Sequence, residues 1–223
     1  MLLAIDTSTR TVGVALYDGD QIWNETTWTS HDYHTVELAP GIQDILQKSG
    51  VAITEIEAIA VAIGPGSFTG LRIGLAVAKG IALARHIPTL GVPTLDIVAA
   101  ATPVIADSSL AAVLRAGRGR LAVGWYQANR TGWRSTNSIE VLTAQDLSDK
   151  IQESTLVCGE INEDERRLLV RKRKLVRLLS PARSLRRPGY LAEIGWRRWR
   201  AGKFDDPATL APIYLHHSDP IPG

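Results

Sequence analysis

The chain has 223 residues, 45% of them hydrophobic and 22% charged, with a net charge of +2, the profile of a folded globular protein with one large or two small domains. Its single cysteine, Cys158, excludes an internal disulfide and fits a reducing cytoplasm, and no run reaches the ~20 apolar residues of a membrane span. Charge is divided unevenly, five Lys/Arg against ten Asp/Glu in residues 1–100 and twenty against thirteen in 101–223, so two domains are expected, 1–100 and a more basic 101–223.

Residues 2–5 form a short apolar strand that ends at Asp6, followed by Thr7, Ser8 and Thr9. Asp6 and Arg10 interrupt the opening run, which argues against a secretory leader. Residues 11–17 alternate Val12, Val14 and Leu16 and lead to the hairpin signal Asp18-Gly19, and 21–29 give a third strand. A helix is expected over 34–49, with Leu38, Ile42, Ile45 and Leu46 on one face and Gly50 as its stop. Residues 55–63 read as a buried strand, the Gly-Pro-Gly of 64–66 as a turn, 69–85 as a helix and 89–92 as a strand, completing the order βββαβα. The second half reads as a helix over 96–106, then a hairpin of 110–114 and 121–128 around the glycine- and arginine-rich turn 115–120. A strand over 133–141, a helix to 150 opened by a Thr143/Asp146 capping box, and a strand over 156–158 follow. Residues 219–223, with two prolines, read as a frayed end.

Strand, glycine turn and helix is how α/β proteins present backbone N–H groups to an anion, and a carboxylate at a strand end is a hard ligand for Mg²⁺. Asp6, Gly64 and Gly66 are therefore the candidate nucleotide-binding residues. The plain alternative for Asp6-Thr7-Ser8-Thr9 is a hydrogen-bonded turn. Within the 69–85 helix Gly70, Gly74, Ala78 and Ala82 recur every fourth residue, which bares one face for a partner helix or for the parent sheet. His31 with His34, and His216 with His217, supply no set of three or four zinc ligands. GxSxG and GxxxxGK[ST] patterns are absent. Between 166 and 203 fourteen Arg/Lys stand against one acid, with Trp196 and Trp199 interleaved. That segment is either a solvated helix face whose arginine stems cover apolar surface or a nucleic-acid footprint carried by Arg186, Arg187, Arg197, Arg198 and Arg200.

The stretches LLAIDTSTRTVGVALYDGD, HTVEL at 34–38 and GPGSFTGLRIGLAVAKGIAL resemble the TsaB family, also called YeaZ, of bacterial tRNA threonylcarbamoyladenosine synthesis. The match covers residues 1–100. Farther on, the family's Asp-Ala-Arg is replaced by Arg115-Ala116-Gly117-Arg118, and its closing Pro-x-Tyr-x-Arg ends here in His216. The resemblance implies an α/β fold of the actin/Hsp70/sugar-kinase (ASKHA) kind, two βββαβα-type lobes with the second degenerate. It also implies a non-catalytic subunit. The catalytic paralogue, TsaD, carries a His-x-x-x-His metal pair beyond the corresponding helix, and 91–98 here contains no histidine. ATP and metal are then expected on partner subunits and no cofactor on this chain, the 64–66 loop being left over from a nucleotide site. Implied partners are a TsaD-type subunit, a TsaE-type ATPase, tRNA through the complex, and a second copy forming a homodimer of the isolated chain. Pairing in the family uses the two helices of the first lobe, which makes His34, Leu38, Ile42, Gly70, Arg72, Gly74 and Ala78 the expected interface. The rival readings are an ATP-dependent kinase of the same fold and a tRNA-binding module acting alone through 166–203.

Overall fold

The computed structural model describes residues 1–30, 34–136, 139–172 and 174–215, and of His34 the backbone alone. His31, His216, His217 and the tail 219–223 lie outside the described residues. Strands β1 (Leu2–Asp6), β2 (Thr11–Tyr17) and β3 (Ile22–Thr29) pair antiparallel in succession, and β4 (Ala58–Gly64) and β5 (Thr89–Pro93) add parallel to β1, in the order β3-β2-β1-β4-β5. Helices α1 (His34–Ser49) and α2 (Phe68–Arg85) supply the connections. Strand alternation turns Leu3, Ile5, Ile59 and Val61 towards α1 and α2, and Leu2, Ala4, Ala60 and Ala62 to the opposite face. Both faces are covered, which is why β1 as far as Ile5, and β4, are apolar at successive residues instead of at every second one.

The second sheet follows α3 (Thr94–Ala100). That helix is shorter than the expected 96–106 because Pro103 disfavours helical backbone at the residue before it. Strands β6 (Ser109–Gly117), β7 (Arg120–Asn129), β8 (Gly132–Ser135), β9 (Glu140–Leu142), β10 (Thr155–Gly159) and β11 (Val176–Leu178) give the order β11-β10-β6-β7-β8, with β9 also on β7. The single strand expected over 133–141 is corrected to two short ones, both paired with β7. The 115–120 turn narrows to Arg118-Gly119, whose φ values of 50° and 70° give the two-residue geometry that suits strand twist. Helix α4 (Ala144–Lys150) opens with the anticipated box, Thr143 Oγ1 accepting from the Asp146 N–H and the Asp146 carboxylate from the Thr143 N–H. Helix α5 (Glu163–Val170) opens with a second box, Asn162 and Glu165.

Strand directions repeat those of the first sheet: β6 is antiparallel to β7 and parallel to β10, which is parallel to β11, and β7 is antiparallel to β8. The fold is therefore ASKHA-like, with the same strand path in both units. Degeneracy lies in the helices, 7 and 8 residues in α4 and α5 against 16 and 18 in α1 and α2. A core of Val113, Leu121, Val123, Leu147, Val157 and Leu169 holds the second unit.

The chain then returns. Among the described residues, one compact unit comprises Met1–Ile97 with Arg186–Ile213, the other Val98–Leu185 with Tyr214 and Leu215. The expected second domain of 101–223 is thus corrected for residues 186–213. The reason is the apolar second face of β1 and β4, which α6 (Pro188–Arg200) covers with Leu191 and Ala192. Small strand residues let the helix come close: a Cβ on Gly195 would stand 2.5 Å from that of Ala60. Leu2, Leu90 and Leu191 are fully buried there, each contributing about 1.5–3 kcal/mol. No helix among the described residues is long and apolar enough to cross a membrane.

Candidate functional site

The end of β1 and the 64–66 loop meet, as the strand–turn–helix pattern requires, but the Asp6 carboxylate, the Thr7 and Ser8 hydroxyls and the Gly64, Ser67 and Gly70 N–H groups are engaged within the chain. Asp6 is 2% exposed. Its Oδ1 accepts from the Ser8 N–H at 2.9 Å, and its Oδ2 accepts from Arg186 Nε, itself 4% exposed. The Arg186 Nη2 donates onward to Thr9 Oγ1 at 3.0 Å and the Thr11 carbonyl at 3.1 Å. The Thr7 hydroxyl donates to the Gly70 carbonyl at 2.7 Å, and the Ser8 and Thr94 hydroxyls share a bond of 2.9 Å. In the loop, the Gly64 N–H goes to Thr94 Oγ1, the Ser67 N–H to the Ser8 carbonyl, and the Gly70 N–H to Ser67 Oγ, the α2 N-cap. Gly64, at φ 110°, faces the Ile213 carbonyl, 2.5 Å from where a Cβ would be, and Gly66 packs on the Ser8 carbonyl at 2.2 Å by the same measure. These glycines serve close chain-to-chain packing. The nucleotide-binding reading of Asp6, Gly64 and Gly66 is therefore corrected: the residues present do not fit a Mg-nucleotide.

The bare stripe of α2 has a similar fate. Gly70, Gly74, Ala78 and Ala82 are all buried, and a Cβ on Gly70 or Gly74 would stand 2.2 Å from the Thr7 carbonyl or the Thr7 hydroxyl oxygen. Small residues at this spacing let the helix axis approach its own sheet, so they are unavailable to a partner. Leu38 is likewise 1% and Ile42 5% exposed. The expected interface is corrected on this point: of its residues, Arg72 is exposed and lies 3.9 Å over the Phe68 ring, while the side chain of His34 is outside the described residues.

What α1 and α2 do leave open is the valley between them. Ala39, Gln43, Leu46, Gln47, Val77 and Ile81 line a groove of about 640 Å³, with Ile42 and Ile53 at its floor and end. Its signal in the sequence was a second apolar stripe, Ile73, Val77 and Ile81, one face away from the glycines.

The basic segment also resolves into parts. Arg186 is buried as described, Arg187 pairs with Glu25, and Arg198 Nη2 meets both Asp205 oxygens at 3.1 and 3.0 Å. Trp196 packs edge-on against Tyr17 (5.5 Å) and Trp199 (5.0 Å) over the first sheet. The nucleic-acid reading is corrected for Arg186, which is buried, while Arg187 and Arg198 are ion-paired within the chain. Arg197 and Arg200 remain exposed, but neither tryptophan is free to stack on a base.

Two titratable groups stand out. Burial pushes the Cys158 thiol up to about 11, against a smaller opposing effect of the Thr102 hydroxyl that donates to it at 3.2 Å. The Trp23 indole N–H, joined by the backbone N–H groups of Gln21 and Asp20, holds Asp18 down at about 2. No group of three or more His, Cys, Asp and Glu side chains among the described residues could hold a metal ion.

The comparisons with known proteins agree with one another. The family model described as TsaD, tRNA N6-adenosine threonylcarbamoyltransferase, matches residues 28–148. The tRNA threonylcarbamoyladenosine biosynthesis protein TsaB of Escherichia coli (strain K12) is 36% identical over 159 residues, 68% of this chain and 66% of that protein. Its Bacillus subtilis (strain 168) namesake is 36% identical over 126 residues, 56% of this chain and 55% of that protein. The chain thus spans just under two thirds of the first relative and about half of the second. The structure of YeaZ from Pseudomonas aeruginosa superposes with a TM-score of 0.74 at 26% identity, covering 96% of this chain and 99% of that one.

Proposed function

The chain belongs to the TsaB/YeaZ family, and from that premise we propose that it is a non-catalytic partner subunit in the synthesis of tRNA N6-threonylcarbamoyladenosine in the cytoplasm. In this reading a TsaD-type subunit transfers the threonylcarbamoyl group to the adenosine amine. This chain stabilises that subunit, recruits a TsaE-type ATPase, and leaves ATP and metal to its partners. One observation carries the reading: α1 and α2 leave an open, largely apolar groove between them, while the chain's own Asp6 and 64–66 loop are filled from within. At 1.5 Å rise per residue the two helices are about 24 and 27 Å long. Side by side they offer a face on the order of the ~800 Å² per partner of a standard interface.

The docking residues of this proposal are Ala39, Gln43, Leu46, Gln47, Val77 and Ile81, with a second copy of the chain taking the same face when no TsaD-type subunit is present. Transfer RNA is met through the assembled complex, because the tryptophans of α6 are committed to the sheet. The kinase alternative is disfavoured by the Asp6–Arg186 pair. The test is a TsaD-type subunit supplied with tRNA and threonylcarbamoyl-adenylate, with and without this chain, read by analysis of the modified nucleoside. Product is expected to depend on the chain, and full turnover in its absence would overturn the proposal.

A further inference from the structure

The Asp6–Arg186 pair joins the last residue of β1 to the first residue of the segment that returns from the second unit. We propose that this segment is a plug in cis, the Arg186 guanidinium serving as a built-in counter-cation in the place where a phosphate-bound divalent ion would meet Asp6. Three features carry the inference. First, the guanidinium is buried and makes hydrogen bonds to the Asp6 carboxylate, the Thr9 hydroxyl and the Thr11 carbonyl, all oxygen acceptors. Oxygens of these kinds are the donor set of a hard divalent cation. Second, the far end of the same segment closes the loop half of the site. The Ile213 N–H donates to the Ile63 carbonyl at 2.7 Å, and the Ile213 carbonyl sits over Gly64. Third, the segment is fastened between these ends. Arg187 pairs with Glu25, whose other oxygen accepts from the Gly189 N–H at 3.1 Å, and Asp205 accepts from the Gly91 N–H at 2.7 Å. The plug is therefore part of the fold of the first unit, and the site behind it is latent. Taking away the arginine leaves a buried carboxylate without its counter-charge, the costly half of a broken buried pair. A small divalent ion could then replace it. This inference concerns the isolated chain and stands apart from its pairing with a TsaD-type subunit.

The experiment is urea unfolding of the isolated chain in EDTA and in millimolar Mn²⁺, with Mn²⁺ binding followed in parallel by the loss of its free-ion EPR signal. The wild type is expected to be indifferent to Mn²⁺. Arg186→Ala should lower the folded-to-unfolded ratio on the order of a hundredfold or more in EDTA and recover about tenfold or more of that in Mn²⁺. Asp6→Asn combined with Arg186→Ala should be more stable than Arg186→Ala alone and should lose the Mn²⁺ response. If Arg186→Ala is unfolded in EDTA, Mn²⁺-driven refolding is the same readout, and Arg186→Gln, which retains hydrogen bonding without charge, gives a second background. The proposal is overturned if Mn²⁺ stabilises the wild type as much as the variant, if neither Arg186 variant responds to Mn²⁺, or if the response survives Asp6→Asn.

Discussion

Substituting Gly74 by alanine tests whether the bare stripe of α2 belongs to the core. A methyl group there would stand 2.2 Å from Thr7 Oγ1, a separation no pair of nonbonded atoms adopts. Thr7 is fully buried, and its hydroxyl is committed to the Gly70 carbonyl. Either α2 lifts from the sheet, an overpacking cost of about 1–3 kcal/mol, or Thr7 rotates and orphans a buried hydroxyl, about 1–3 kcal/mol. Alanine returns about 1 kcal/mol through helix propensity. By either route, less the helix-propensity gain, the net loss expected for Gly74→Ala is about 1–2 kcal/mol. Gly80, six residues on, is exposed and has nothing within 4 Å of its would-be Cβ, so Gly80→Ala should stabilise by up to about 1 kcal/mol. Urea unfolding of the isolated chain, followed by circular dichroism, measures both. If Gly74→Ala unfolds at the wild-type midpoint yet loses partner binding, the stripe is a docking surface and the core assignment is wrong.

Two further predictions concern single side chains. Cys158, with its thiol raised to about 11 by burial, should resist a thiol reagent at pH 8 in the native protein and react promptly in denaturant; rapid labelling of the folded chain would contradict its burial. Asp18 is held at about 2, below its ordinary 3.8, so its contribution to the β2–β3 turn is present above pH 3.8 and is lost as pH falls through about 2. A carboxyl NMR titration should find that low midpoint, and a midpoint near 4 would mean that the Trp23 hydrogen bond does not persist in solution.

Much of the fold was legible because its signals are local. The Asp18-Gly19 turn, the apolar face of 34–49 and the Thr143/Asp146 box each announce an element within a few residues. Helix α5 was not read from the sequence, although its Asn162/Glu165 box is an equally local signal. Other features depend on partners far along the chain. Arg186 and Asp6 are 180 residues apart, and nothing near either shows that they meet, so one read as a nucleic-acid contact and the other as a cation ligand. The Trp196–Trp199 region looked like a base-stacking surface because its real counterpart, the alanine-rich face of β1 and β4, becomes continuous only when the sheet forms. Period-four small residues on α2 located a close approach correctly without saying to what. Thr7, the group approached, decides that question, and it lies on another element.

The central claim, that the open valley between α1 and α2 is the partner-docking face, is tested most directly by an association measurement. Ala39 and Gln43 are exposed and line the groove one helical turn apart. Ala39→Glu with Gln43→Lys puts two charges into it while forming an i,i+4 pair that favours the helix, so the urea midpoint should stay within about 0.5 kcal/mol of wild type. Sedimentation velocity with a TsaD-type subunit should show a complex for the wild-type chain and at least a roughly hundredfold weaker one for the variant. Equally tight association by a variant of unchanged stability would contradict the account.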